Sequence, residues 1–229
     1  MKMDVYKHMH VIKNSTLFDQ MTPESVQKVF ECLGAYVTVY SKGECILHEE
    51  EKVDGVAFLI RGEVNLVNED FWGRRTLVAR VRPGEVFAEA FACMSEPVRD
   101  MRVYAESECE VAWLDVKRMF SVCSNACECH NRLLQNLVMA LAEKNMAQSE
   151  KMVIMSKHNT REKLLCFLSK EAKRQKRPAF KLDLNQRELA EYLSLERSGV
   201  STQLNRLRSE GVIDFDRNTC VLKKDVVPK

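Results

Sequence analysis

Near the middle of the stretch LNQRELAEYLSLERSGVSTQLNRLRSEGVI, Leu184 to Ile213, stand Arg197, Ser198, Ser201 and Thr202. Their chemistry is polar recognition. The Arg fork of donors fits guanine or a phosphate, and hydroxyls serve either bases or phosphates. Apolar residues at helical spacing surround them: Leu189, Ala190 and Leu193, then Val200, Leu204 and Leu207. The pattern predicts two short helices joined near Ser194-Leu195. Asn185 is the predicted N-cap of the first, with Glu188 completing a capping box, and Gly211 marks the end of the second. Small Ala190 lets the pair pack closely. This is a helix-turn-helix pattern with Glu196–Ser209 as the helix offered to a major groove. Arg206, further along it, and Arg217, in the turn of a following hairpin, are further DNA-contact candidates. The rival reading is an ordinary helical hairpin in a core, which such spacing alone also fits.

The second cluster is Cys123-x3-Cys127-x-Cys129-His130. Cys123 with Cys127, and Cys127 with His130, share a helix face. The spacing matches no standard closed metal site, so no metal is expected, and Cys123 and Cys127 read as fillers of small core gaps. A cysteine-based redox or metal sensor is the alternative. His8 and His10 form an HxH without an evident carboxylate partner. A cupin-like metalloenzyme needs an HxH plus Glu and a later His, whereas the strand-rich region holds only His48. No nucleophile has an arguable base partner and no phosphate-gripping Walker loop occurs, so the chain is not read as an enzyme.

These residues need elements to hold them. The chain has 229 residues, room for two modest domains. Its net charge is only +2, but it is unevenly spread. Ser156 to Lys229 carries 17 Lys/Arg against 10 Asp/Glu, while Met1 to Met155 carries 18 against 23. Only the basic C-terminal part is expected to meet a polyanion. No apolar run is long enough to span a bilayer and no signal peptide opens the chain, so no membrane contact is expected. Nine scattered cysteines fit a reducing cytoplasm better than a disulfide framework.

In order, Met1 to Asn14 carries no clear signal. Leu17, Phe18, Met21, Val26, Val29, Phe30 and Leu33 mark one or two amphipathic helices, with a start at Thr22-Pro23-Glu24 and an end at Gly34. From Ala35 to Asp115 short apolar segments recur about every ten residues: YVTVY, CILHE, VAFLI, EVNLV, TLVARV, VYAES and EVAWL. Turn signals separate them, which predicts an antiparallel sandwich or jelly roll. A long helix follows, with Asn125 and Glu128 as its capping box. Leu134, Val138, Leu141, Asn145, Gln148 and Met152 recur along it at alternating spacings of 4 and 3, a coiled-coil seam that predicts a homodimer. The alternative is a helix packed on its own roll. After a hinge at Met155 to Asn159 come the helix REKLLCFLSKEAKRQ, a basic run Lys173 to Arg177, the strand AFKLDL, the helix-turn-helix, and a hairpin of Val212–Phe215 and Cys220–Lys223. That unit is a winged helix. The basic run touches phosphates or is simply a solvated face.

The segment Pro83-Gly84-Glu85-Val86-Phe87-Ala88-Glu89 resembles the phosphate cassette of the cyclic-nucleotide-binding roll. Together with the helix-turn-helix, it makes the chain resemble the CRP/FNR family of bacterial transcription regulators, from about Leu17 to Val226 and in the family's order of parts. The resemblance implies an α+β architecture: an N-terminal double-stranded β-helix jelly roll over residues 1–123, a long dimerisation helix over 124–155, and a C-terminal winged helix over 156–229. It implies a cytoplasmic homodimer on a palindromic double-stranded DNA operator, controlled by a signal at the roll, and it admits RNA polymerase as a further partner. The rival class is a ligand-binding module without DNA-binding activity; the basic winged helix argues against it. In the family, the cassette and an Arg-Ser/Thr pair ten residues later hold a cyclic nucleotide. The matching positions here are Ala88-Glu89 and Arg99-Asp100, with Gln148 and Ser149 matching the polar pair that reaches the base. Glu89 and Arg99 persist, yet Asp100 sets a carboxylate where phosphate must sit and Ala88 adds a methyl where backbone must approach it. Cyclic AMP is therefore disfavoured and the effector is left unidentified.

Overall fold

The computed structural model describes residues 5–94, 97–98, 101–121, 128–182, 184–216 and 218–223. It divides into two compact units, Met1–Glu143 and Lys144–Lys229.

The first unit opens with a 3-10 turn at Tyr6–His8, helix α1 (Met9–Ile12), a second turn at Thr16–Phe18 and helix α2 (Pro23–Cys32). The stretch before Asn14 is part of the core, since Val5, Val11 and Ile12 are buried. Thr22 caps α2 by accepting the Ser25 N–H at 3.2 Å, with Pro23 in the first turn where its missing N–H costs nothing. All seven expected strands form: β1 (Tyr36–Tyr40), β2 (Cys45–Leu47), β3 (Gly55–Arg61), β4 (Val64–Glu69), β5 (Arg75–Val81), then β7 (Arg102–Ala105) and β8 (Cys109–Asp115). Between β5 and β7 lie a two-residue strand β6 (Val86–Phe87) and helix α3 (Glu89–Met94); helix α4 (Val116–Phe120) follows β8.

Two four-stranded antiparallel sheets, ordered β1-β8-β3-β6 and β2-β7-β4-β5, make the roll. Strand β3 is buried from Val56 to Ile60 without alternation, because both of its faces are covered. On one side Phe18 packs edge-on to Phe58 at 5.0 Å between ring centroids. On the other, Ala57 is in register with Phe87 and Trp113, whose rings lie 6.1 Å apart. Only glycine fits position 62: its φ is +94°, and a Cβ there would run into the Glu108 carbonyl and the Cys109 sulfur. At the tip of the β4–β5 hairpin the Asp70 carboxylate accepts the Trp72 and Arg74 amides, each at 2.9 Å. That bracing holds Phe71 and Trp72 outward into solvent.

Helix α5 (Glu128–Met155) contributes its first half to the first unit and its C-terminal part to the second. The predicted cap Asn125 lies outside the described residues. The second unit continues with α6 (Thr160–Arg174), β9 (Ala179–Lys181), α7 (Gln186–Tyr192), α8 (Arg197–Ser209), β10 (Ile213–Asp216) and β11 (Thr219–Leu222). The three strands form one antiparallel sheet ordered β10-β11-β9, the wing expected from the sequence. Ile154 at the end of α5 joins Leu164, Phe167, Leu168, Leu189, Val200, Leu204 and Ile213 in this unit's core. Among the described residues no helix is long and apolar enough to cross a membrane.

Candidate nucleic-acid interface

The helix-turn-helix is built by local chemistry. Asn185 accepts the Arg187 and Glu188 amides, and the Glu188 carboxylate accepts the Asn185 N–H at 2.8 Å, so the capping box is closed in both directions. Helix α7 stops where Ser194 takes a left-handed φ of +52° and the Leu195 N–H donates back to the Ala190 carbonyl at 2.9 Å. Helix α8 then buries Val200, Leu204 and Leu207. Arg197, Ser198, Thr202 and Arg206 are exposed, and Ser201 is half-buried at the edge of the face. Asn205 is exposed at the centre of that face, one turn beyond Thr202. The sequence reading missed it, although its spacing from Ser198 and Thr202 marks it, and its amide suits an adenine edge.

The cations differ in freedom. Arg206 is held by Glu210 at 3.0 Å, Arg208 by Asp214 at 3.4 Å and Arg187 by Glu191 at 3.1 Å. Arg197 has no ion-pair partner among the described residues. It stands exposed in the first turn of α8, free to reach an anion or a base. Beside it an open recess is lined by Asn159, Thr160, Arg161, Ser198, Gly199, Thr202 and Gln203. The start of α6 faces this recess, with Asn159 capping the Glu162 amide at 2.9 Å. Helix N-termini present unpaired amides and positive potential, so the recess is suited to one backbone phosphate. Arg217 lies outside the described residues.

On α5, His130, Leu133, Leu137 and Ala140 turn into the first unit's core. Asn136 fastens this face by donating to the Leu17 and Asp19 carbonyls at 3.0 and 2.9 Å. The predicted seam runs down a second face. Leu134 and Leu141 are half-buried at its margin, while Val138 and Met152 are 64% and 71% exposed. Asn145, Gln148 and Ser149 are exposed. The helix therefore packs on its own roll with one face and leaves the seam open with the other.

In the cassette, Ala88 adopts a left-handed φ of +62° between β6 and α3, and Glu89 is buried at the start of α3. Arg99, Asp100, Cys123 and Cys127 lie outside the described residues. Cys129 is half-buried, and among the described residues no group of three or more His, Cys, Asp or Glu side chains converges on a metal-sized site.

A family model described as the cyclic nucleotide-binding domain matches residues 37–126, and one described as the Crp-like helix-turn-helix domain matches residues 162–226. The chain belongs to the CRP/FNR family. The transcriptional activator protein FnrL of Cereibacter sphaeroides is 25% identical over 202 residues, covering 83% of this chain and 77% of that protein. Solved structures share the CRP/FNR fold. CprK complexed with OCPA superposes with a TM-score of 0.64 at 16% identity, covering 87% of this chain and 91% of that one. The catabolite activator protein of Thermus thermophilus gives 0.52 at 21% identity, covering 92% and 94%. The family is one of DNA-binding transcription regulators, and both diagnostic parts, the roll and the winged helix, are present here in the expected order.

Proposed function

We propose that this CRP/FNR-family chain acts in the cytoplasm as a homodimer that binds a palindromic operator, with α8 of each protomer entering successive major grooves. The observation that carries the reading is Arg197: exposed, unpaired among the described residues, and set at the start of a helix whose outer face is Ser198, Thr202 and Asn205. Arg197 reads a guanine. Ser201 and Arg206 contact the flanking backbone, Arg206 exchanging Glu210 for phosphate, and the recess at Asn159 and Gly199 takes a neighbouring phosphate. Arg217 contacts DNA from the wing. The two protomers meet along Leu134, Val138, Leu141, Asn145, Gln148 and Met152 of α5. A signal at the roll near Glu89 and Arg99 shifts the population between two dimer arrangements. The protein is not an enzyme; RNA polymerase is a further partner once the operator is occupied.

The deciding experiment is selection of an operator from random DNA, followed by titration of Arg197→Ala on it at fixed salt. The variant should lose about 1–3 kcal/mol per half-site and tolerate any base at one position. Wild-type affinity and unchanged base preference would remove Arg197 from the reading head.

A further inference from the structure

Within the second unit, the end of α5 is fastened to the helices that carry the reading head. Ile154, in the last turn of α5, is buried in the core that also holds Leu164 and Leu168 of α6 and Leu189 of α7. One turn earlier the Lys151 ammonium stands over the Tyr192 ring of α7, 5.2 Å from its centroid. The same ring packs on Phe167 of α6, with centroids 5.6 Å apart. The Lys170 ammonium of α6 donates to the Glu150 carbonyl of α5 at 3.2 Å. Tyr192 is thus the point where α5, α6 and α7 meet, and it lies two residues before Ser194, where the chain turns towards α8.

The segment between α5 and α6 has little slack. The sequence suggests a hinge at Met155 to Asn159, yet the amides there are engaged. The Ser156 N–H donates to the Met152 carbonyl at 2.9 Å, and the Lys157 N–H donates to the Ile154 carbonyl at 3.2 Å. The His158 N–H donates to the Glu162 carboxylate at 3.3 Å. The Ser156 hydroxyl donates to the Val153 carbonyl at 2.9 Å, and Asn159 closes the segment as the cap of α6. A short connection with bonded amides, between helices that also grip each other, resists local opening. The direction of α8 is therefore tied to the end of α5.

Resting on the homodimer reading of the operator, we propose that Tyr192, Lys151 and Lys170 set the half-site spacing that this protein accepts. They are positioning residues: none lies on α8, and each acts by holding the reading head in one orientation on its own α5. One base pair added between half-sites moves the second groove by about 3.4 Å and turns it by about 35°. A head locked to α5 meets that change misaligned, whereas a loosened head follows it.

The test measures affinity of the full chain for its selected operator, for the same operator with the spacer shortened or lengthened by one base pair, and for a lone half-site. Wild type should prefer its own spacer by about a hundredfold or more. Lys151→Gln combined with Lys170→Met, both at half-buried positions, should cut that preference to about tenfold or less, with lone half-site affinity within about twofold of wild type. Tyr192→Leu should act in the same direction, while Tyr192→Phe, which keeps a ring face for Lys151, should retain the wild-type preference. An unchanged preference in the double variant and in Tyr192→Leu, or a half-site loss as large as the spacing loss, would overturn the assignment. Hydrogen exchange reads the joint without DNA: the Ser156 and Lys157 amides should be protected in wild type and exchange at least about tenfold faster in the double variant. Unprotected amides in wild type overturn the lock even on a palindromic operator. Protected amides together with a selected site lacking two-fold symmetry overturn the homodimer reading, and the spacing role with it.

Discussion

The Arg161 guanidinium meets the Glu210 carboxylate at 2.6 Å, tying the first turn of α6 to the end of the recognition helix α8. Arg206 reaches the same carboxylate from one turn earlier. These contacts, Arg161 foremost, hold the Glu210 pKa below its ordinary 4.5. A carboxylate depressed in the folded state stabilises the fold above its unfolded pKa and loses that contribution as pH falls through the folded value. Glu210→Gln should therefore melt at a lower temperature than wild type at pH 7, and the gap should close toward about pH 3. Thermal melts followed by circular dichroism across that range check this; a constant gap would detach the stability from ionisation of Glu210.

Dimerisation is expected to fail when the open face of α5 is charged. Val138 and Met152 are the cleanest positions, because each is mostly exposed, whereas Leu141 also packs on the roll. Val138→Lys with Met152→Lys should sediment as a monomer with unchanged helix content and should lose high-affinity operator binding. An unchanged dimer would move the interface elsewhere.

Ala88 stores backbone strain. A non-glycine residue in the left-handed region costs about 1–2 kcal/mol, and Ala88 sits there with φ +62° while also buried. Ala88→Gly should raise stability by about 1 kcal/mol in urea unfolding, net of the added freedom of glycine in the unfolded chain. A loss of stability would mean that the methyl's packing outweighs the strain.

Cyclic AMP should not act as the effector. Asp100 stands beside Arg99 as a tethered anion. At an effective dielectric of about 20, two unit charges near 4 Å repel by roughly 4 kcal/mol, enough to lower phosphate affinity by orders of magnitude. Calorimetry should show no cyclic AMP binding at micromolar concentration, and operator affinity should not respond to it. Asp100→Ser combined with Ala88→Gly should move the cassette toward nucleotide binding. Micromolar binding by wild type, with a matching gain in operator affinity, would sink the electrostatic argument.

Features written by neighbours in sequence were readable without coordinates. The Thr22 cap, the Asn185–Glu188 box, the Gly211 stop and seven of the eight roll strands are set by short-range spacing. Those set by distant partners were not. Strand β6 is two residues long, too short for a periodicity, and exists because Val86 and Phe87 pair with Phe58 and Ala57 of β3. The segment before Asn14 lacks a repeating pattern, yet it buries Val11 and Ile12. At the candidate interface, spacing placed Arg197, Ser198 and Thr202 correctly on the outer face. It gave no sign that Arg206 is engaged by Glu210 whereas Arg197 is free, since that difference depends on which carboxylate the fold brings near.

The β4–β5 hairpin tip has a spectroscopic consequence. The chain has two tryptophans, and they occupy opposite environments: Trp72 at the tip is 78% exposed and Trp113 in the roll is 7% exposed. Intrinsic emission is then the sum of a red-shifted component open to iodide and a blue-shifted component shielded from it. Quenching separates the two without any introduced label. One indole reports on whatever approaches the hairpin, and the other reports on the interior of the roll.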